Sequence, residues 1–347
     1  MQDKTNSQVK PGYWLAASGT LFAVLVIVLG AFTRLVDAGL GCPDWPGCYG
    51  HILWPMDEAE VAAANAAFPE APVEHDKTWP EQVHRLLATS LGLFCIAFVV
   101  MAYRQRHKGF NAPIKLTLVL LAMVIVQGMF GRWTVTLNLW PQVVTAHLIG
   151  GFTTLSLLWL LTLRLQNRRW QMTPHVFAEI QRLKPLLLVA LSVVIVQILL
   201  GGWTSTNYAA LACPDLPTCQ GQWWPNMDFT KGFNFAQDIG PNYLGGLMEN
   251  SARTAIHFSH RIGAIVVTLV VSYLAYRLLR IKQKSTSQWA IMLAFVLFLQ
   301  IGLGLSNVYW SLPLPVAVAH NAVGAMLLLT LVGLCHRFYT SQANQAA

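Results

Sequence analysis

Four histidines stand inside otherwise apolar stretches of the chain: His84, His147, His260 and His320. A lone histidine in such a stretch is ordinarily a packed side chain bonded to a neighbouring helix. Four at matching places, two in each half, read differently, because polar groups in hydrocarbon are costly and kept for function. Two imidazoles facing each other across a helical bundle are an axial-ligand arrangement for haem iron. Glu81 lies three residues before His84 and so shares its helix face, whereas the residue three before His260 is His257. A carboxylate beside a haem edge moves protons or stabilises developing positive charge; the competing reading is a helix-start glutamate favoured by the dipole. The mismatch implies that the first half does chemistry and the second supplies a cofactor.

Cysteines and arginines add to this. Cys42-Pro-Asp-Trp-Pro-Gly-Cys48 recurs as Cys213-Pro-Asp-Leu-Pro-Thr-Cys219, with proline and aspartate favouring a turn that brings each pair of thiols together. Structural disulfides Cys42–Cys48 and Cys213–Cys219 are one reading and redox-active pairs another; five intervening residues are wide for zinc. Cys95 and Cys335 fall in helices, where packing accounts for them. Arg34, Arg85, Arg132 and Arg261 sit near the ends of apolar spans, two of them directly after a histidine, and call for an anionic partner. Haem propionates and lipid phosphate both qualify.

The elements that must position these groups follow from composition. With 55% hydrophobic and 11% charged residues in 347, the chain has too few charges to cover a soluble globule. Eight stretches are long and apolar enough to cross a bilayer: 13–36, 82–103, 114–136, 142–165, 184–206, 254–279, 288–310 and 314–338. Lys4 and Lys10 before the first give it the look of a signal peptide, but its apolar run is long and no small-residue cleavage site follows, so it reads as a retained helix. The cysteine motif repeats at an offset of 171, from 42 to 213; Gly30-Ala-Phe-Thr33 recurs as Gly201-Gly-Trp-Thr204, and Gln127 with Gly131 recurs as Gln300 with Gly304. These repeats predict an all-α integral membrane fold of two four-helix bundles, residues 1–173 and 174–347, related by a pseudo-two-fold axis along the membrane normal. All four histidines are then expected within the first two turns of their helices, at one membrane face.

Lysine and arginine concentrate in 4–10, 104–115, 164–184, 277–284 and at 337, which together hold sixteen of the 23. The positive-inside rule then makes both termini cytoplasmic and puts the long loops, 37–81 and 207–253, outside as ordered caps with short helices. The net charge of +8 is dispersed over these connections beside anionic lipid and calls for no nucleic acid.

With Glu81-Gln-Val-His84-Arg85, Ala146-His147-Leu, Ser259-His260-Arg261-Ile-Gly, Ala319-His320-Asn and the paired-cysteine loops in this order, nearly the whole chain resembles the haem A synthase family of bacterial inner membranes. The resemblance implies oxidation of a ring methyl of haem O, through hydroxylated stages, to the formyl group of haem A for terminal oxidases. It implies haem b, with its iron on His260 and His320, as cofactor; substrate haem O on His84 and His147; and Glu81 as catalytic carboxylate. It links Cys42 and Cys48 to activity, and names membrane lipid, haem O synthase and oxidase assembly factors as partners. Two other classes compete. A non-catalytic di-haem cytochrome would stack its haems across the bilayer, and a quinone-linked thiol oxidoreductase would leave the four histidines without a role.

Overall fold

The computed structural model describes residues 9–344; Lys4 lies outside them. Eight helices are long and apolar enough to cross a membrane, which makes this a multi-pass membrane protein. They are α1 (Tyr13–Leu35), α3 (His75–His107), α4 (Ile114–Thr136), α5 (Pro141–Gln166), α6 (Pro174–Thr206), α8 (Asn250–Arg280), α9 (Lys284–Tyr309) and α10 (Leu314–Thr340). The short helices α2 (Glu58–Ala67) and α7 (Phe229–Gly232) lie in the two long loops, as expected of ordered caps. Each starts on an aspartate, Asp57 or Asp228, whose carboxylate accepts a backbone N–H of the first turn. A two-residue parallel ladder joins β1 (Gln171–Met172) to β2 (Gln342–Ala343) at the other end of the molecule.

Several helices begin before the apolar spans do. The spans at 82, 184 and 254 start as helix at His75, Pro174 and Asn250. Apolar composition marks only the turns that need a hydrocarbon solvent, while helical hydrogen bonding runs on into polar turns beyond them. His84 and His260 consequently lie about three turns into their helices rather than within the first two, whereas His147 and His320 are in the second turn.

The packing order is the same in each half. In the first, α1 packs on α3 and α5, and α4 packs on the same two; in the second, α6 packs on α8 and α10, as does α9. Contacts of α1 with α10 and of α5 with α6 and α10 join the halves. Their shared core is aliphatic, with Leu155, Leu158, Leu187, Leu274, Leu278 and Leu331 essentially inaccessible. Outward, large apolar side chains such as Leu21, Leu93, Ile96, Leu269 and Phe298 are exposed, the pattern of helices solvated by lipid.

Polar ties hold the helices together within the first half and across the seam between halves. Thr20 Oγ1 lies 2.9 Å from Thr162 Oγ1 between α1 and α5, Thr145 Oγ1 lies 3.2 Å from Thr206 Oγ1 between α5 and α6, and Trp159 Nε1 donates to the Leu329 carbonyl at 3.0 Å. At the loop end, Arg34 donates to the Ser205 carbonyl at 2.6 Å, to Asp37 Oδ1 at 3.1 Å and to the Tyr208 hydroxyl at 3.0 Å. Its guanidinium also lies over the Tyr208 ring, and the Tyr208 hydroxyl donates to Asp37 at 2.6 Å. Arg34 thereby ties the end of the first helix to the end of the fifth span. The variant Arg34→Met strands the Ser205 carbonyl and is expected to cost about 1–3 kcal/mol. Unfolding in detergent measures this, and an unshifted midpoint would deny Arg34 a place in the seam.

Candidate functional site

Each cysteine motif is built the same way. The Cys42 and Cys48 sulfurs are 2.03 Å apart, those of Cys213 and Cys219 1.96 Å, so both loops are drawn closed by a disulfide. Inside the first, Asp44 accepts the N–H groups of Tyr49 at 2.6 Å and Gly50 at 2.8 Å; inside the second, Asp215 accepts those of Gln220 at 2.5 Å and Gly221 at 3.0 Å. The aspartate is therefore in the motif to cap a turn over backbone donors that would otherwise be unpaired. The Thr218 hydroxyl and those N–H groups hold the Asp215 carboxyl below the usual range. Tyr49 closes the first lid by donating to the Ala71 carbonyl at 3.0 Å, and burial, reinforced by Glu74, Glu81 and Asp44, pushes its hydroxyl up to about 12.

Beneath each lid an arginine one residue after a histidine reaches up to hold it. Arg85 donates to the carbonyls of Asp44 at 2.8 Å, Gly47 at 2.6 Å and Cys42 at 3.3 Å. Arg261 donates to those of Cys213 at 2.6 Å and Thr218 at 2.8 Å. A guanidinium has five donors in a fixed fork, which suits a turn presenting several carbonyl oxygens. Among the four arginines singled out in the sequence, Arg34, Arg85 and Arg261 thus have their donors committed to the protein. Arg132 is exposed on α4, with no hydrogen bond or ion pair among the described residues.

Glu81 and His257 occupy the same place in the two halves. Glu81 is buried; its Oε2 accepts the Cys42 N–H at 2.9 Å and its Oε1 accepts from Arg85 Nη2 at 2.6 Å. His257 is buried likewise, with Nδ1 3.2 Å from the Cys213 nitrogen and Nε2 3.4 Å from Arg261 Nε. A neutral imidazole accepts at one nitrogen only, and the shorter, Cys213 N–H to Nδ1, is the bond we assign; Arg261 is then a close neighbour. A carboxylate accepts both and retains further lone pairs beside His84. That is the chemical difference between the halves.

The histidine rings rest on glycines. His84 of α3 lies against Gly30 of α1, where a β-carbon would come within 2.7 Å of its Cε1; His147 of α5 lies against Gly131 of α4, at 3.6 Å by the same measure. In the second half His260 lies against Gly201 at 3.2 Å and His320 against Gly304 at 3.1 Å. Gly30, Gly201 and Gly304 are cradles for imidazoles, a role that their spacing alone did not disclose, whereas a β-carbon at Gly131 would make only ordinary contact.

His84 and His147 face each other with ring centroids 6.5 Å apart and planes at 89°. Two imidazoles bound through one nitrogen each to the same metal, at about 2.0–2.1 Å, have ring centres roughly 6 Å apart. The separation fits a shared iron. The Nδ1 atoms of His84, His147 and His320 are buried without a hydrogen-bond partner, so each of these rings has an uncommitted nitrogen. In the second half Gln197 Nε2 is 3.1 Å from His260 Nδ1, and Gln300 Nε2 is 3.4 Å from His320 Nε2. One nitrogen of each of those rings is held and the other remains for a metal. The ring separation in the first half fits haem iron, and in the second half His260 and His320 each keep a ring nitrogen that a metal could take. Sequence reading missed Gln197; the signal available was that the same 171-residue offset pairs it with Val26.

The family described as COX15-CtaA, Cytochrome oxidase assembly protein, matches residues 13–332. A protein of Shewanella oneidensis named Heme A synthase is 46% identical over 321 residues, covering 92% of this chain and 94% of its own. Proteins of the same name from a Chelativorans species and from Caulobacter vibrioides are 29% and 28% identical, over 89% and 93% of this chain and 85% and 94% of theirs.

The lid geometry makes a specific expectation. Arg85→Met should raise amide hydrogen exchange in residues 42–51 by about 10-fold or more while leaving 213–222 unchanged, and Arg261→Met should do the reverse, since charge-assisted bonds of this kind contribute about 1.5–3 kcal/mol. Exchange that is unaltered, or altered in both loops at once, would remove the arginines as lid clamps.

Proposed function

The chain belongs to the COX15-CtaA family, and we propose that it is a haem A synthase, an oxidoreductase that takes a ring methyl of haem O through hydroxylated stages to the formyl group of haem A. One observation carries this reading: an imidazole pair, His84 and His147, with ring centres 6.5 Å apart and planes perpendicular, lies under a lid whose buried anchor is Glu81, while the otherwise matching second half anchors its lid on His257.

Substrate haem O is assigned to the first half, residues 1–173, and a resident haem b to the second, residues 174–347, with His260 and His320 on its iron. When bound, the haem of the second half supplies one-electron chemistry. The protein's own residues do the rest. His84 and His147 fix the substrate ring between them, so that its rim is carried beside Glu81. Glu81 accepts the proton given up at the carbon being oxidised and passes it away from the site, and its bonds to Arg85 and the Cys42 N–H hold the carboxylate in place. The disulfide-closed lid above it limits access of bulk water. Arg132, whose donors are uncommitted, is the foremost propionate contact; Arg34, Arg85 and Arg261 reach a propionate only by sharing donors already on the protein.

The eight spans place the activity in a membrane, where haem O with its hydrophobic tail enters between helices. Sixteen of 23 basic residues on the connections opposite the long loops support a bacterial inner membrane with both termini cytoplasmic and the lids outside. Haem O synthase and oxidase assembly factors fit as partners that deliver substrate and take up product.

Expression with a haem O supply, followed by extraction and chromatography of the haems, tests the assignment: wild type yields haem A, and its absence would sink the proposal. Glu81→Gln is expected to keep bound haem while conversion falls about 10²-fold or more. Equal conversion would take Glu81 out of the mechanism. His260→Ala is expected to lose the haem b absorption; an unchanged spectrum contradicts the ligand assignment.

A further inference from the structure

The two halves grip their histidines differently, and the difference is built from two positions. Gln197 of α6 lies one turn before Gly201, on the helix face that cradles His260. Its Nε2 is 3.1 Å from His260 Nδ1 and donates to the His260 carbonyl at 2.9 Å, so a single amide reaches both ring and backbone. The amide lies over Gly263, one turn after His260, where any β-carbon would collide with it. In the first half the matching positions are Val26, at the 171-residue offset, and Leu87, three residues after His84. Valine and leucine have no group to offer an imidazole. The Val26 carbonyl lies beside the His84 ring, yet His84 Nδ1 finds no well-directed acceptor. A glutamine–glycine pair in one half is thus a valine–leucine pair in the other. The space a glycine opens for an amide is filled there by a leucine.

We propose that Gln197 is the positioning residue that makes the second half a retaining haem site, and that Val26 with Leu87 leaves the first half a releasing one. This rests on the assignment of haem to His260 and His84. A neutral imidazole that gives one nitrogen to iron carries its proton on the other, and a partner for that N–H fixes the ring and makes the ligand more basic. Gln197 Oε1 is buried without a partner. A half-turn of the amide brings this oxygen to the ring N–H, exchanging the bond to the His260 carbonyl for one to the metal ligand itself. Gln300, 3.4 Å from His320 and also with an unpartnered Oε1, does the same for the second ligand. A cofactor must stay through many turnovers and a product must leave. One duplicated scaffold meets both needs by giving His260 an amide partner that its counterpart His84 lacks, while Gln127, the repeat of Gln300, lies over Gly150 with its Nε2 unpartnered.

The test loads the full-length protein with haem b and follows its release to excess apomyoglobin by absorption. Wild type is expected to release haem in two phases, the slow one from the second half. Gln197→Met should speed the slow phase about 10–100-fold, as loss of such partners does for metal ligands, and raise the midpoint potential of that haem. Gln197→Glu should restore slow release and lower the potential. The exchange Val26→Gln with Leu87→Gly should slow the fast phase. Should Gln197→Met keep both the wild-type slow phase and potential while His260→Ala abolishes that phase, the inference fails alone. Should His260→Ala also leave the slow phase intact, the haem assignment fails with it.

Discussion

Everything at the working end of this molecule follows from the cost of placing an imidazole in an apolar helix bundle. Each ring carries two nitrogens that hydrocarbon cannot satisfy, and burying an amide-like group without a partner costs several kcal/mol. The protein meets the cost sterically first, by removing side chains at Gly30, Gly201 and Gly304, where a β-carbon would crowd the ring. It meets it chemically by holding one nitrogen of His260 and one of His320, and it leaves nitrogens of His84, His147 and His320 uncommitted. Uncommitted buried nitrogens 6.5 Å apart from ring centre to ring centre are unfavourable unless a metal takes them. A binding site is in this sense a polar debt arranged so that only the right ligand settles it.

The lids obey the same constraint one layer higher. A turn of seven residues over a membrane-embedded bundle exposes backbone groups that water cannot reach from below. Arg85 and Arg261 satisfy the carbonyls, Asp44 and Asp215 satisfy the N–H groups, and Glu81 or His257 takes the N–H of the leading cysteine. In the first half the clamp and the proposed catalytic carboxylate are one buried ion pair, Arg85 with Glu81 at 2.6 Å. Breaking such a pair leaves an uncompensated charge and costs more than the pair's net contribution. Lid order and carboxylate position are therefore coupled in the first half, where the chemistry is assigned, and not in the second, where a neutral imidazole stands in.

How much of this was legible follows from what each residue type announces. Eight spans could be read from apolar length, because lipid solvation is a property of composition. The histidine pairs could be read because an ionisable side chain among Leu, Val and Ile has few bland explanations, and Glu81 against His257 because the repeat supplied a register. Helix starts at 75, 174 and 250 could not, since hydrogen bonding does not end where hydrophobicity does. The arginines show a subtler limit. Sequence position marked Arg34, Arg85 and Arg261 as cations wanting anions, yet their partners include backbone carbonyls, which no composition argument can see. Only Arg132 keeps the character that its sequence position gave it.

Gln197 was legible in principle and overlooked for a physical reason. A glutamine in an apolar span is less conspicuous than a histidine, and Gln127 with Gln300, being repeated, drew notice as marks of duplication rather than as partners of imidazoles. The informative glutamine is the unrepeated one. Where two halves share lids, clamps, cradles and ligands, the function of each has to reside in the positions at which the register breaks: Glu81 against His257, Val26 against Gln197, Leu87 against Gly263. On the proposed reading, the first exchange decides where a proton can be moved, and the other two decide how firmly an imidazole is held. All three surround the same pair of equivalent histidines, His84 and His260, within about one helical turn of a ligand ring. Under the proposed assignment, two halves of one plan need no new fold and no new ligand set, because a changed environment around an unchanged imidazole is enough to separate a site that converts from a site that keeps.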